Sequence, residues 1–275
     1  ETATETRYDG TEVYPKSTTS TAAGDVINGS LKGIVFRAEP GASVAKPWIR
    51  PSAENGLQAV FGVLADERAG TLWLCSVPNP FKPPQAGAVS ALMAFDLKSG
   101  ARKGAWPLPP ERAVCNDMAV DSSGTVWVAD TSNGRILKLA QGGSALELYA
   151  QDEKLRGIDG IAFSGDGTLY VNIVTRGALL RVNRKTDGAL ESLTELKLSE
   201  AIAGPDGMRL IEGNRFLLAE GQGGRIDEVT SDGDRARIRV LRSGLMSPPG
   251  VTLDGRTAFA VEGKIGYLID PKPEG

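Results

Sequence analysis

Lys16, Asn116, Asp159 and Asp206 can each bind a cation, carry a proton or stabilise a charge, and they fall at equivalent positions of an internal repeat. An ammonium, an amide and two carboxylates brought into one concavity have three outcomes. The acids hold a metal ion, they pair with the lysine, or they share protons at shifted pKa values. Phe61 and Pro249 fill the remaining two places of that column. A second column, at the end of the following strand, reads Ser30, Ser76, Asp130, Asn172, Glu220 and Glu262 and adds three carboxylates. From these columns Lys16, Asp159 and Asp206 are the candidate catalytic residues. Phe61, Asn116, Asp130, Asn172 and Glu220 are the candidate substrate contacts.

The chain has no histidine, so Ser-His-Asp and Cys-His catalysis and imidazole metal sites are excluded. Any acid or base is Asp, Glu, Lys, Tyr or Cys. Cys75 and Cys115 form neither a disulfide framework nor a CxxC site; a bond between them, two buried thiols and a reactive cysteine all stay open. With 31 basic and 34 acidic residues the net charge is −3, which gives no electrostatic footprint for nucleic acid or an anionic membrane. The partner expected is a small molecule, and the oligomeric state is open. No apolar run reaches the roughly 18 residues of a spanning helix. The polar start at Glu1 suggests a periplasmic or secreted protein, with a cytoplasmic one as the alternative.

The elements that must position these residues come from the repeat. Equivalent positions 16, 61, 116, 159, 206 and 249 give spacings of 45, 55, 43, 47 and 43, the length of a four-stranded propeller blade. Each unit runs from an apolar stretch through a turn glycine (Gly24, Gly70, Gly124, Gly167, Gly213, Gly255) to a second stretch. That stretch is centred on Ile27, Trp73, Trp127, Tyr170, Phe216 or Phe259. Third strands are expected at 33–38, 91–97, 135–139, 178–182, 225–229 and 265–269, and fourth strands at positions such as 146–150 and 237–241. The expectation is an all-β, six-bladed β-propeller over residues 1–275, with four antiparallel strands per blade. The N-terminal stretch near Thr6 to Glu12 is expected to close the last blade. In such a ring the first residues of the innermost strands meet at one mouth of the central channel.

The phrases Cys115-Asn116-Asp117-Met118-Ala119-Val120-Asp121, Ile158-Asp159-Gly160-Ile161-Ala162, Pro205-Asp206-Gly207-Met208 and Gly62-Val63-Leu64-Ala65-Asp66-Glu67 resemble the senescence marker protein/gluconolactonase family. The resemblance extends over essentially all six repeats. It implies a lactonase-like hydrolase in which a divalent cation (Ca²⁺, Mg²⁺ or Mn²⁺) at the channel mouth polarises a lactone carbonyl. By position its ligands here are Asn116, Asp159 and Asp206, with Asp206 also placed to act as base. The sequence departs from the family where that cation's first-blade glutamate belongs, because Lys16 stands there. An ammonium beside a divalent ion is strongly repulsive, so Lys16 either swings away or replaces the metal. Val114 stands where the animal sugar lactonases carry a substrate-binding arginine, which sets aldonolactones in question.

Two further functions compete with the hydrolase. One is a metal-independent isomerase, lyase or cyclase that uses Lys16 with Asp159 and Asp206; the other is a ligand-binding propeller without catalysis. The Pro-rich stretch at 77–84 is either a partial lid over the channel or a surface loop.

Overall fold

The computed structural model describes residues 5–264 apart from Phe81, Pro84, Pro110 and Glu111. The chain forms five four-stranded antiparallel blades arranged about a central channel. Their innermost strands are Pro15–Ser20, Ala59–Asp66, Cys115–Val120, Ile158–Phe163 and Pro205–Glu212. From each of these the chain moves outward strand by strand, as in blade three with Val126–Asp130, Arg135–Leu139 and Glu147–Gln151. A single 3₁₀ turn, Glu153–Leu155, is the only helical element among the described residues.

Two parts of the expected architecture are corrected. Among the described residues the last repeat makes only a hairpin, Gly250–Asp254 with Thr257–Val261, so the structure has five blades rather than six. The second strand of that hairpin, Thr257–Val261, is largely exposed, whereas the equivalent strand of blade three is buried throughout. The expected third strand at 265–269 lies outside the described residues. The N-terminal strand, Arg7–Tyr8, does not close the last repeat. It pairs in parallel with Val44–Ile49 on the outer edge of blade one. Tyr8 packs edge-on against Phe36 of that blade at 5.2 Å, in a small cluster with Val13, Ile34 and Ala45, and this contact holds the segment there.

The core lies between successive blades. Trp127 of blade three meets Phe163 of blade four at 5.8 Å, and Tyr170 of blade four meets Phe216 of blade five at 5.3 Å. The large residues of the second strands are therefore packing elements that set the spacing of the ring. All six turn glycines of the repeat have positive φ, a conformation that costs glycine nothing and other residues a steric clash. Cys75, on the second strand of blade two, is bonded to Cys115 at the head of blade three, with Cα atoms 5.2 Å apart. This staple fixes the start of the strand that carries Asn116.

Among the described residues no helix is long and apolar enough to cross a membrane.

Candidate active site

Every complete blade has a register shift at the head of its innermost strand: between Pro15 and Ser17, Val60 and Val63, Cys115 and Met118, Ile158 and Ile161, and Pro205 and Met208. A bulge releases side chains from strict alternation and re-aims them. The residues inside these bulges include Lys16, Phe61, Asn116, Asp159 and Asp206, the column singled out by the repeat. The next residue is glycine in blades two, four and five. At Gly160, a Cβ would run into the Asp206 carbonyl oxygen and the Asn172 amide, so its absence lets neighbouring inner strands come together at the mouth.

The structure brings Lys16, Asn116, Asp159 and Asp206 into one buried cluster. Lys16 Nζ donates to Asp206 Oδ1 at 2.5 Å and stands 3.9 Å from Asp159 Oδ1. Asn116 Nδ2 donates to Asp159 Oδ2 at 2.9 Å and to Thr131 Oγ1 at 2.8 Å. Thr131 in turn donates to the Ile158 carbonyl at 2.6 Å. The Lys16 ammonium lies 5.8 Å from the centre of the Phe61 ring. Side-chain exposure is 10% for Lys16, 5% for Asp159 and 13% for Asp206, so Asp206 is the acid more open to the mouth. Asn116 Oδ1 and Asp159 Oδ1 are buried and have no hydrogen-bond partner.

Electrostatics divides the roles. Burial by itself depresses the Lys16 ammonium, but the charges of Asp159 and Asp206, the hydrogen bond to Asp206 and the charge of Asp117 outweigh it, and the net shift is upward. Lys16 therefore stays charged, and a neutral imine-forming amine is not what this environment favours. Burial and the neighbouring Asp206 push the Asp159 carboxyl well above the usual range, with Lys16 opposing them. Asp159 thus holds its proton more tightly than an ordinary carboxyl, beside a fixed positive charge.

The strand-end residues expected as substrate contacts are engaged elsewhere. Asp130 accepts from the Val114 N–H at 2.9 Å and pairs with Arg135 at 2.6 Å. Glu220 accepts from the Ala203 N–H at 2.6 Å and pairs with Arg225 at 2.5 Å. Asn172 accepts from the Gly160 N–H at 3.0 Å and donates to the Asp206 carbonyl at 2.7 Å, so it braces the two bulges that carry the acids. Phe61 is half-buried at the mouth, packed with Val114 against the Cys75 and Cys115 cluster.

Sequence reasoning missed two residues. Arg209, on the inner strand of blade five, forks onto Asp117 of blade three at 2.8 and 3.2 Å and also donates to the Val63 carbonyl of blade two at 3.0 Å. This pair bars the channel beneath the cluster. A signal was present: Asp117 occupies the place that is glycine in four of the six repeats, and Arg209 is the lone charge in its column of Thr19, Leu64, Ala119, Ala162 and Thr252. At the opposite end of the channel, a cleft of about 770 Å³ lies among the turns 66–68, 121–123 and 164–167. A second, of about 810 Å³, lies between the N-terminal segment and the last hairpin. Neither is lined by Lys16, Asp159 or Asp206.

A divalent cation does not fit the set Asn116, Asp159 and Asp206. The ammonium of Lys16 already supplies the positive charge among them, within hydrogen-bond distance of Asp206. Among the described residues no group of three or more His, Cys, Asp and Glu side chains is arranged to hold a metal.

Residues 113–139, which carry Asn116 and Asp117, match the NHL repeat family. No curated protein matches the chain. Several solved propellers are similar in fold. A gluconolactonase from Xanthomonas campestris is 19% identical, with a TM-score of 0.69 over 92% of this chain and 84% of that one. A catalytically inactive virginiamycin B lyase from Staphylococcus aureus, solved with quinupristin, is 16% identical, with a TM-score of 0.67 over 93% of this chain and 80% of that one. The PQQ-bound aldose sugar dehydrogenase from Streptomyces coelicolor is 13% identical, with a TM-score of 0.64 over 92% and 88%. At such identities the likeness establishes the β-propeller fold, and function rests on the residues at the mouth.

Proposed function

We propose that the channel mouth carries a lactonase-type hydrolase that opens a small lactone without a metal, Lys16 standing in for the cation. The observation that carries this reading is the Lys16 ammonium held 2.5 Å from Asp206 and 3.9 Å from Asp159 in a buried site. An ammonium has three donors. One is spent on Asp206, and the remaining two can receive the carbonyl oxygen as it gains negative charge, where preorganised donors are worth most.

Asp206, the more exposed acid, takes a proton from the attacking water as its oxygen bonds to the carbonyl carbon. The tetrahedral intermediate then expels the ring oxygen. Asp159, kept protonated by burial and by Asp206, delivers its proton to that oxygen. The ring C–O bond breaks, a hydroxy acid leaves, and the proton on Asp206 passes back to Asp159. Water is consumed and no other reactant is needed. A disulfide near the mouth suits an oxidising compartment such as the periplasm.

The test is a panel of lactones followed by acid release, with and without a chelator. Wild-type turnover should be indifferent to the chelator, and Asp206→Asn and Lys16→Met should each lose at least about 100-fold, the usual scale for removing a general base or an oxyanion donor. Full activity in Asp206→Asn would sink the hydrolase. A product with a new double bond instead of added water would convert the same acid–base pair into a lyase.

A further inference from the structure

We propose that the substrate of this site is a lactone poor in hydroxyl groups, seated with an apolar ring face against Phe61. The inference rests on the lactonase reading and deepens it. It follows from an inventory of hydrogen-bonding groups at the mouth. The Asn116 amide nitrogen is spent on Asp159 and Thr131, and the Thr131 hydroxyl on the Ile158 carbonyl. Both ends of Asn172 are used inside the bulges. Asp130 and Glu220 are paired with Arg135 and Arg225. What remains among these side chains is two hydrogens on Lys16, the proton of Asp159 on its unpartnered Oδ1, and two acceptors, Asn116 Oδ1 and Asp206 Oδ2. That set serves one carbonyl, one ring oxygen and one water.

A polyhydroxylated lactone brings a donor and two acceptor positions with every hydroxyl. Among these described side chains no partner is left over for such hydroxyls once the carbonyl, the ring oxygen and the water are served, and a hydroxyl that loses water without gaining a partner is bound at a net cost. Apolar surface, by contrast, is on offer. The Phe61 ring lies 5.8 Å from the Lys16 ammonium, and Val114 packs in the same cluster on the adjoining blade. A substrate whose carbonyl sits on Lys16 therefore has the Phe61 ring within reach of its carbon skeleton.

The experiment compares δ-hexanolactone with glucono-δ-lactone for the wild type, Phe61→Ala and Phe61→Leu. In parallel, ligand-observed NMR measures binding of the two matching lactams, which do not open. The wild type should favour the alkyl lactone by about 100-fold in kcat/KM, the scale on which apolar pockets discriminate. Phe61→Ala should cut that ratio at least about 10-fold, and Phe61→Leu, which keeps an apolar contact and guards against misfolding, should retain most of it. Preference for gluconolactone, or a ratio unmoved in Phe61→Ala, overturns the inference. If neither lactone opens, the hydrolase reading fails and the lactams decide. Selective binding of the alkyl lactam that is lost in Phe61→Ala upholds the substrate class, and equal or reversed binding overturns it.

Discussion

Arg209 and Asp117 are joined across the channel although they belong to blades three and five, with the whole of blade four between them in the chain. Both are buried, the side chains 12% and 4% exposed, and the guanidinium uses its fork on both carboxylate oxygens. Most contacts in a propeller join neighbouring blades, so this one ties together parts of the ring that would otherwise communicate only around the circumference. It also holds the Asp117 carboxylate close enough for Lys16 and Asp159 to sense its charge.

Removing one partner of such a pair leaves the other charge buried and unmatched. Arg209→Met should therefore destabilise the protein by about 3–5 kcal/mol, and Arg209→Met with Asp117→Asn should recover most of the loss. Denaturant unfolding of the two single variants and the double variant gives the coupling. Equal stability of the single and double variants would show that the bar carries no pairing energy.

Blade five contains a second buried acid pair, Glu220 and Asp227, with Glu220 in register with Pro205 at the strand head that carries Asp206. Burial, and then the neighbouring Glu220 carboxylate, push Asp227 up from an ordinary value of 3.8 to about 8. Its folded-state pKa is raised, so the folded chain binds the extra proton and stability falls as pH rises from about 4 through about 8. Asp227→Asn, which cannot ionise, should flatten that slope and be the more stable form at pH 9. Unfolding midpoints across this range decide the matter, and parallel profiles for both proteins would remove Asp227 as the cause.

Lys16→Glu should turn the cluster into a set of four oxygen-bearing side chains with Asn116, Asp159 and Asp206, suited to a hard divalent cation. Calorimetric titration with Ca²⁺, Mg²⁺ and Mn²⁺ should show binding to the variant and none of comparable affinity to the wild type, while lactone opening in metal-free buffer is lost. Wild-type binding as tight as the variant's contradicts the replacement of metal by lysine.

The disulfide between Cys75 and Cys115 closes a loop with a sequence separation of 40. On loop entropy, Cys75→Ala with Cys115→Ala should cost about 3–4 kcal/mol. Because Cys115 immediately precedes Asn116, the same change should also lower turnover. Unfolding curves and kcat measured side by side separate the two effects.

Much of the scaffold was legible because the repeat carries its own geometry. A turn glycine at positive φ and a bulged strand head recur at matching places, so Lys16 and Asp206, 190 residues apart, could be set in one column without knowledge of the fold. The third strand of blade three, at 135–139, also agrees with the reading. Column reasoning fails where a contact runs diagonally. Arg209 and Asp117 occupy different repeat positions and meet only because the channel is narrow enough for a guanidinium to span. The same limitation hid the partners of Asp130 and Glu220. Each faces an arginine five residues on, directly across the next strand pair, as Asp130 with Arg135 and Glu220 with Arg225, a spacing that could have been read as a hairpin ion pair. The N-terminal pairing depended on contacts such as Tyr8 against Phe36, which no repeat encodes.

The two short parallel strands have a colloidal consequence. Arg7–Tyr8 lies along the outer strand of blade one, and Lys197–Leu198 along that of blade five. Each occupies hydrogen-bonding groups on a rim that would otherwise be open to a strand from another molecule, the usual start of edge-to-edge association. The outer strands of blades two and three rely on charge instead, with Arg102 and Lys103 on one and Glu147 on the other. Deleting the segment that contains Arg7 and Tyr8 should therefore raise the tendency to aggregate at high concentration more than it alters chemistry at the channel mouth, as light scattering would record.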